Sequence, residues 1–320
     1  MSAPLVTIIV PGHDVAEYAD AALASLRMQD MTNWRAILID DGSTDATAQI
    51  FAAAADADPR LRFVAHDEQR GLGAARNTGL DLVDTPLLGF LDADDVLAPG
   101  ALARLTGTLE RTGSDFAVGA YVRLRADAGG TYLPGAVQPW VSAATDPERL
   151  GTTVAQHPDV TGNVVAWSKI SRRDFWDRAG LRFPEDRLYE DQALAQRMYT
   201  RARAFDTIPD VVMHWRVRAD GSSITQRESA LPVLRDCLAA MSEGLEVLDA
   251  AGAPRAAAAR VRLMLDMDVP RLAGIAQHHP DDAYRRAVGA FARALWERAP
   301  LPAGALSAAS EHAVSAALLW

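Results

Sequence analysis

The chain has one cysteine, Cys237, one lysine, Lys169, and no long apolar run. A lone cysteine excludes an intrachain disulfide and any cysteine-built metal centre, and it fits a reducing compartment. No stretch reaches the length needed to cross a bilayer, and the opening MSAPLVTIIVPGHD lacks the basic flank of a signal peptide. The expected location is cytoplasmic, with peripheral attachment at the inner face of a membrane left open. An excess of positive charge is also missing, because the 320 residues carry a formal net charge of -10. Nucleic acid is therefore not an expected partner, since it is collected by a basic field. An anionic substrate would need a local metal ion or arginines. The hydrophobic content of 49% suffices for one substantial core, or one core plus an appendage.

What is present is organised around residues 86–95, PLLGFLDADD. An apolar run of this length between helical patterns reads as a strand buried in a parallel sheet, and its acids then stand at the sheet's carboxyl edge. Open α/β sheets bind their ligands there. In an extended segment Asp92 and Asp94 point one way and Asp95 the other. Two carboxylates on one side can hold a hard divalent cation that keeps positions open for phosphate oxygens. The competing reading is an Asp-rich turn.

The same order of strand, turn and helix occurs earlier. Residues 5–10, 36–39 and 61–65 read as strands, and each is followed by a polar turn and a helical pattern. Asp14 and Glu17 have the spacing of a capping box, which makes Asp14 a helix cap. Such alternation implies a right-handed, mostly parallel, Rossmann-like α/β sheet with helices on both faces. Residues 1–112 form the nucleotide-binding half of this reading. Residues 113–227 read as an α+β half built on its edge, with strands at 116–124, 164–170 and 211–217, a long Gly/Pro-interrupted loop at 125–145, and Glu190 and Asp191 opening a helix. Residues 228–320 read as a helical appendage, with Leu234, Cys237, Leu238, Met241, Leu245 and Leu248 on one stripe. It would pack on the core, or on a second copy or further domain. The apolar residues 317–320 suggest a piece of a longer chain.

The acids have readable chemistry. Asp41 could accept hydrogen bonds from a base, Asp92 could bind a ribose hydroxyl and Asp94 could ligate a metal under a diphosphate. Arg76 could pair with a phosphate or orient one of these acids, against the alternative of a solvated helix face. Glu190 and Asp191 could equally be acids that favour a helix N-terminus.

PGHD, DDGSTD, GLGAARNTGL, FLDADD and YEDQ, in this order, resemble the family-two inverting, metal-dependent nucleotide-sugar glycosyltransferases of the GT-A fold, over about residues 5–218. The resemblance implies a nucleotide pocket of Pro11, His13, Asp14, Asp41, Arg76, Asp92 and Ala93. It also implies Mn2+ or Mg2+ on Asp94 and a general base at Asp191 with Glu190 beside it. His13 and Asp14 stand where Tyr and Asn are common, and Gln69 stands near a usual Asn, so UDP is a preference among nucleotides. Displacement at an anomeric carbon needs a base to take the acceptor's proton and a cation to neutralise the leaving diphosphate.

Trp167, Lys169, His214, Trp215, Arg216, Arg218, Ser222 and Ser223 resemble the later blocks of bacterial transferases that modify wall teichoic acids or similar phosphate-rich envelope polymers. This implies substrate contacts from Trp167, Lys169, Arg216, Arg218 and Ser223, with His214 completing the metal shell. The expected partners are a UDP-sugar donor and a polymer or glycolipid hydroxyl. Two other activities compete. A nucleotidyltransferase would want a basic, Gly-rich loop after the first strand, which PGHDVAEY lacks; a non-catalytic module would bind a nucleotide sugar or polymer as part of a longer protein.

Overall fold

The computed structural model describes residues 3–185, 187–219, 221, 227–299 and 304–320. Four strands, β1 (Val6–Gly12), β2 (Trp34–Asp40), β3 (Leu61–Ala65) and β4 (Leu87–Phe90), pair in parallel in the order β3-β2-β1-β4. All seven residues of β1 are buried, as expected of a Val/Ile strand covered on both faces. The crossovers are α1 (Ala16–Arg27), α2 (Thr47–Ala57) and α3 (Leu72–Asp81).

The next elements are β5 (Val96–Leu97), α4 (Ala101–Thr112), β6 (Phe116–Ala126), β7 (Tyr132–Val137), α5 (Pro139–Thr145) and β8 (Arg149–Thr152). A 3-10 turn (Pro158–Gly162), β9 (Lys169–Arg172), α6 (Arg173–Ala179), α7 (Asp191–Arg201) and β10 (Phe205–Val217) complete this half. The sheet continues from β4 through β9, β6 and β10 to β5. β9 runs antiparallel to both neighbours, whereas β6 and β10 run parallel. Parallel pairing is thus confined to the first four strands and to β6–β10, and the rest of the sheet is antiparallel.

Two expected segments differ. Residues 125–145 are not an open loop, because β7 returns along β6 as a hairpin and α5 follows. The strand expected at 164–170 begins only at Lys169. The backbone before it wraps around the Lys169 ammonium, which donates to the carbonyls of Asn163 and Val165.

The remainder is helical: α8 (Leu231–Ala250), α9 (Pro254–Leu263), a π turn (Met264–Asp268), α10 (Val269–Ala276), α11 (Asp282–Arg298) and α12 (Ala308–Leu318). α8 packs along α7 and buries Leu234, Cys237, Met241, Leu245 and Leu248, so that one continuous apolar core joins the helices to the sheet. Polar ties reinforce this contact, from Arg260 Nη2 to Gln192 Oε1 at 2.9 Å and from Arg197 to Glu243. Cys237 is a buried free thiol within this core. Among the described residues no helix is long and apolar enough to cross a membrane.

Candidate active site at the carboxyl edge

The carboxyl ends of β1, β2 and β4 are laced together by backbone hydrogen bonds. Asp41 N–H donates to the Gly12 carbonyl at 2.9 Å, and Ala93 N–H donates to the Pro11 carbonyl at 3.1 Å. The three turns carrying Pro11, Asp41 and Asp92 therefore share one edge, as the sequence implied.

Asp14 does not cap α1. Its backbone is left-handed, with φ 49, and its carboxylate accepts from Thr44 N–H, Thr44 Oγ1 and Asp45 N–H in the next turn. Asp45 and Thr47 instead accept from the N-terminal amides of α1, Ala16 and Val15. The capping-box spacing was a local signal that a tertiary contact overrode. His13 Nδ1 lies 2.9 Å from the Asp41 carbonyl.

Asp41 is buried with both oxygens engaged. Oδ1 is 2.7 Å from His66 Nδ1 and accepts from Arg70 N–H at 3.0 Å, while Oδ2 accepts from Gly71 N–H at 2.8 Å. This carboxylate fixes the turn that opens α3. His66, whose Nε2 sits 2.9 Å from Thr78 Oγ1, was missed in the sequence; its one signal is its place as the first polar residue beyond β3.

On α3 the Gly-Leu-Gly-Ala-Ala-Arg-Asn run has a structural account. A Cβ at Gly73 would lie 2.0 Å from the Pro184 carbonyl oxygen, so only glycine lets residues 183–185 approach. Asn77 holds that segment, donating to the Phe183 carbonyl at 2.9 Å and to Glu185 at 2.8 Å and accepting from Phe183 N–H. Arg76 is fully buried and not on a solvated face. It bridges Asp92, at 2.7 and 3.0 Å, to Glu190. Burial alone would lower its pKa, but Asp92 and then Glu190 overcome this and raise it. Arg76 therefore orients two acids, and its charge is already committed to them.

Asp92 to Asp95 form a turn, closed by Asp95 N–H to the Asp92 carbonyl at 2.9 Å, and β4 ends before them. The alternation expected of an extended segment does not apply. Arg218 Nε donates to Asp94 Oδ2 at 2.8 Å, Arg216 Nε to the Asp94 carbonyl at 2.7 Å, and Arg216 N–H to Asp95 Oδ1 at 2.7 Å. Arg216 is buried, with its guanidinium 4.2 Å from the Tyr132 ring. These two arginines clamp the acidic turn and do not form an open phosphate-binding face. Burial first, then repulsion from Asp92 and, for Asp95, from Asp94 as well, pushes the Asp94 and Asp95 carboxyls up despite the arginines. A divalent cation would relieve that repulsion, so the residues fit one. Among the described residues no group of three or more His, Cys, Asp or Glu side chains is placed to hold an ion by itself. The fit is that of a shared site, one or two carboxylates plus phosphate oxygens and water. His214, on β10 opposite Val96, belongs to no such group. Ser222 and Ser223 lie outside the described residues.

Glu190 stands at the N-cap position of α7 and Asp191 in its first turn, directly after Tyr189, whose φ of 59 is uncommon outside glycine. Glu190 is spent on Arg76. The Asp191 side chain accepts no hydrogen bond among the described residues, and burial first, then Glu190, pushes its carboxyl up to about 7 against the pull of Arg76 and Lys169. Lys169 is buried, donating to the Asn163 side chain at 2.7 Å, and burial brings its ammonium down to about 7. Trp167 is buried too and meets Tyr121 edge-on at 4.8 Å. Both were expected to touch substrate; both are buried, and Lys169 lines one cavity with Asp191.

Residues 7–180 match the family model described as glycosyl transferase family 2. The teichoic acid poly(glycerol phosphate) polymerase of Staphylococcus epidermidis is 40% identical over 97 residues, which cover 30% of this chain and 14% of that protein. The chain spans 54% and 64% of the length of two further curated relatives. The crystal structure of S. aureus TarS 1-349 in complex with UDP superposes with a TM-score of 0.71 at 20% identity, covering 92% of this chain and 82% of that one. The mannosyltransferase PcManGT from Pyrobaculum calidifontis, in complex with GDP-Man and Mn2+, gives a TM-score of 0.55 at 20% identity over 93% and 88%. At such identities the solved structures establish the fold.

Proposed function

The chain belongs to glycosyl transferase family 2, and from that premise we propose that it is an inverting enzyme. It moves a hexosyl or N-acetylhexosaminyl group from a nucleoside-diphosphate sugar, by preference a UDP-sugar, onto a hydroxyl of an envelope polymer or glycolipid. The observation that carries this reading is Asp191, an acid at the carboxyl edge with no hydrogen-bond partner among the described residues and a carboxyl raised to about 7. A base near the working pH takes up an acceptor proton efficiently. Arg76 ties Asp92 to Glu190, the residue directly before Asp191, so the base is presented next to a fixed ion-paired frame. The TarS complex with UDP and the polymerase relative support the donor and acceptor classes.

Asp94, with Asp92 beside it, would hold Mn2+ or Mg2+ together with diphosphate oxygens. The bound ion would supply neutralisation of the leaving group's charge. Residues 1–112 then serve the donor, residues 113–227 the acceptor, and the helices from 228 onward brace the turn carrying the base. The test is Asp191→Asn. Stabilisation by UDP with Mn2+, read as a rise in melting temperature, should persist, while transfer falls by about 10²–10⁴-fold. Equal loss of both would remove the base assignment.

A further inference from the structure

β6 carries a second Arg-x-Arg pair, Arg123 and Arg125, one strand away from Arg216 and Arg218. In the parallel register of β6 and β10, Arg123 lies opposite Trp215 and Arg125 opposite Val217, whereas Leu124 lies opposite Arg216. Since side chains alternate along a strand and opposite residues share a face, the two arginine pairs occupy opposite faces of the sheet. Arg216 and Arg218 are committed to the Asp94–Asp95 turn. No carboxylate pairs with Arg123 or Arg125 among the described residues, although the chain has 42 acids. The Arg123 guanidinium lies 5.5 Å from the Trp140 ring and 5.4 Å from the Trp215 ring, and its Nε is buried without a hydrogen-bond partner among the described residues. Arg125 is exposed.

This face leads to the base. Tyr121, two residues before Arg123 on the same face, accepts from Trp140 Nε1 at 3.3 Å. Tyr121 also meets Trp167 edge-on at 4.8 Å, and the adjoining Ala166 lines one cavity with Lys169 and Asp191. An acceptor whose hydroxyl lies at Asp191 would extend outward past the half-buried Trp140 and Trp215 rings to Arg123 and Arg125, neither of which pairs with a carboxylate among the described residues.

We propose that Arg123 and Arg125, with Trp140 and Trp215, form an acceptor subsite for an oxyanion-bearing, polyhydroxylated chain. A planar guanidinium presents paired donors to phosphate or carboxylate oxygens, and the indole faces offer apolar area to the C–H side of a polyol or sugar. The inference rests on the transferase reading and names its acceptor's chemistry.

The test is calorimetric binding of three oligomers of matched length to the full chain: a glycerol phosphate oligomer, an oligogalacturonate and a neutral maltooligosaccharide. At least one anionic oligomer should bind, more weakly as salt rises, and Arg123→Met/Arg125→Met should weaken it by about tenfold or more. Arg123→Lys should fall between. Whichever anionic oligomer binds identifies the oxyanion as phosphodiester or carboxylate. UDP with Mn2+ must still stabilise the double variant, which separates the subsite from the fold and from the donor site. Unchanged affinity in the double variant, equal binding of the neutral oligomer, or no anionic binding by a wild-type chain that UDP stabilises would each overturn the subsite alone. Absence of any nucleotide stabilisation would overturn the transferase reading beneath it.

Discussion

The two ends of the parallel strands make the same ion pair in different surroundings. At the amino end Arg35 meets Asp84 at 2.8 Å, with side chains 37% and 65% exposed. At the carboxyl end Arg76 meets Asp92 at 2.7 Å, with 2% and 19% exposed. Distance does not separate them; solvent does. The first pair gains little over two hydrated charges, whereas the second must repay several kcal/mol of desolvation per ion. The carboxyl end also gathers Asp41, Asp94, Asp95, Glu190 and Asp191 around this pair. Such an arrangement is poor for stability, and in the proposed function its use lies in presenting oriented charge to a ligand.

The comparison is broken most directly at Arg76. Arg76→Met leaves Asp92 and Glu190 without their shared cation, and the expected loss is about 3–5 kcal/mol of unfolding free energy, measurable by urea titration. Adding Glu190→Gln should restore part of that loss. A cost no larger than that of an exposed pair would mean that water reaches the bridge.

Asp191 sharpens the contrast through pH. Its carboxyl is raised from 3.8 to about 7 in the folded chain, so between those values the folded state holds a proton that the unfolded state has lost. The resulting penalty is absent below about pH 4, grows as pH rises and is complete above about pH 7. Asp191→Asn escapes it. The variant should melt higher than wild type at pH 8, on the order of 2 °C or more, with the advantage vanishing by pH 4. In the wild type, transfer should decline as pH falls through about 7 because the base is then protonated.

Gly73 probes the frame and not the charges. Gly73→Ala places a methyl group 2.0 Å from the Pro184 carbonyl oxygen, a backbone atom on the segment that leads to Glu190. Overpacking of this kind costs about 1–3 kcal/mol, and here the displacement is passed towards Asp191. Transfer should therefore fall together with the melting temperature, while Asp94 and its arginines stay in place.

How much of this was legible in the sequence depends on the range of each signal. β3 has the bounds its apolar run implied, and the acids at residues 41 and 92 stand where strand ends put them, because period and strand polarity are local properties. Arg76 and Glu190 meet across 114 residues, and no spacing rule announces that contact. The family resemblance supplied both residues without their bond. The same limit explains Arg216 and Arg218. The resemblance named the two arginines as substrate contacts, and nothing in the sequence shows that the turn of Asp94 and Asp95 lies against them. Asp14 shows the opposite failure, a local cap pattern outcompeted by the Thr44 and Asp45 amides of a neighbouring turn. Arg123 carried no motif at all, and only the register of β6 on β10 shows that it faces Trp215.

The smallest effect belongs at the amino end. Asp84→Asn removes the carboxylate that Arg35 meets at 2.8 Å, a contact as close as that between Arg218 and Asp94 at the carboxyl edge. Both groups remain hydrated, and Arg35 can exchange its partner for water without burying an unpaired charge. The expected change is below about 1 kcal/mol, shrinking further in 1 M salt, with transfer and nucleotide binding unaffected. A loss comparable to that of Arg76→Met would mean that exposure is not what divides the two ends. The acids at the carboxyl edge would then have to be explained as ordinary contributors to stability, and the case for charge held ready for a ligand would lose its physical basis.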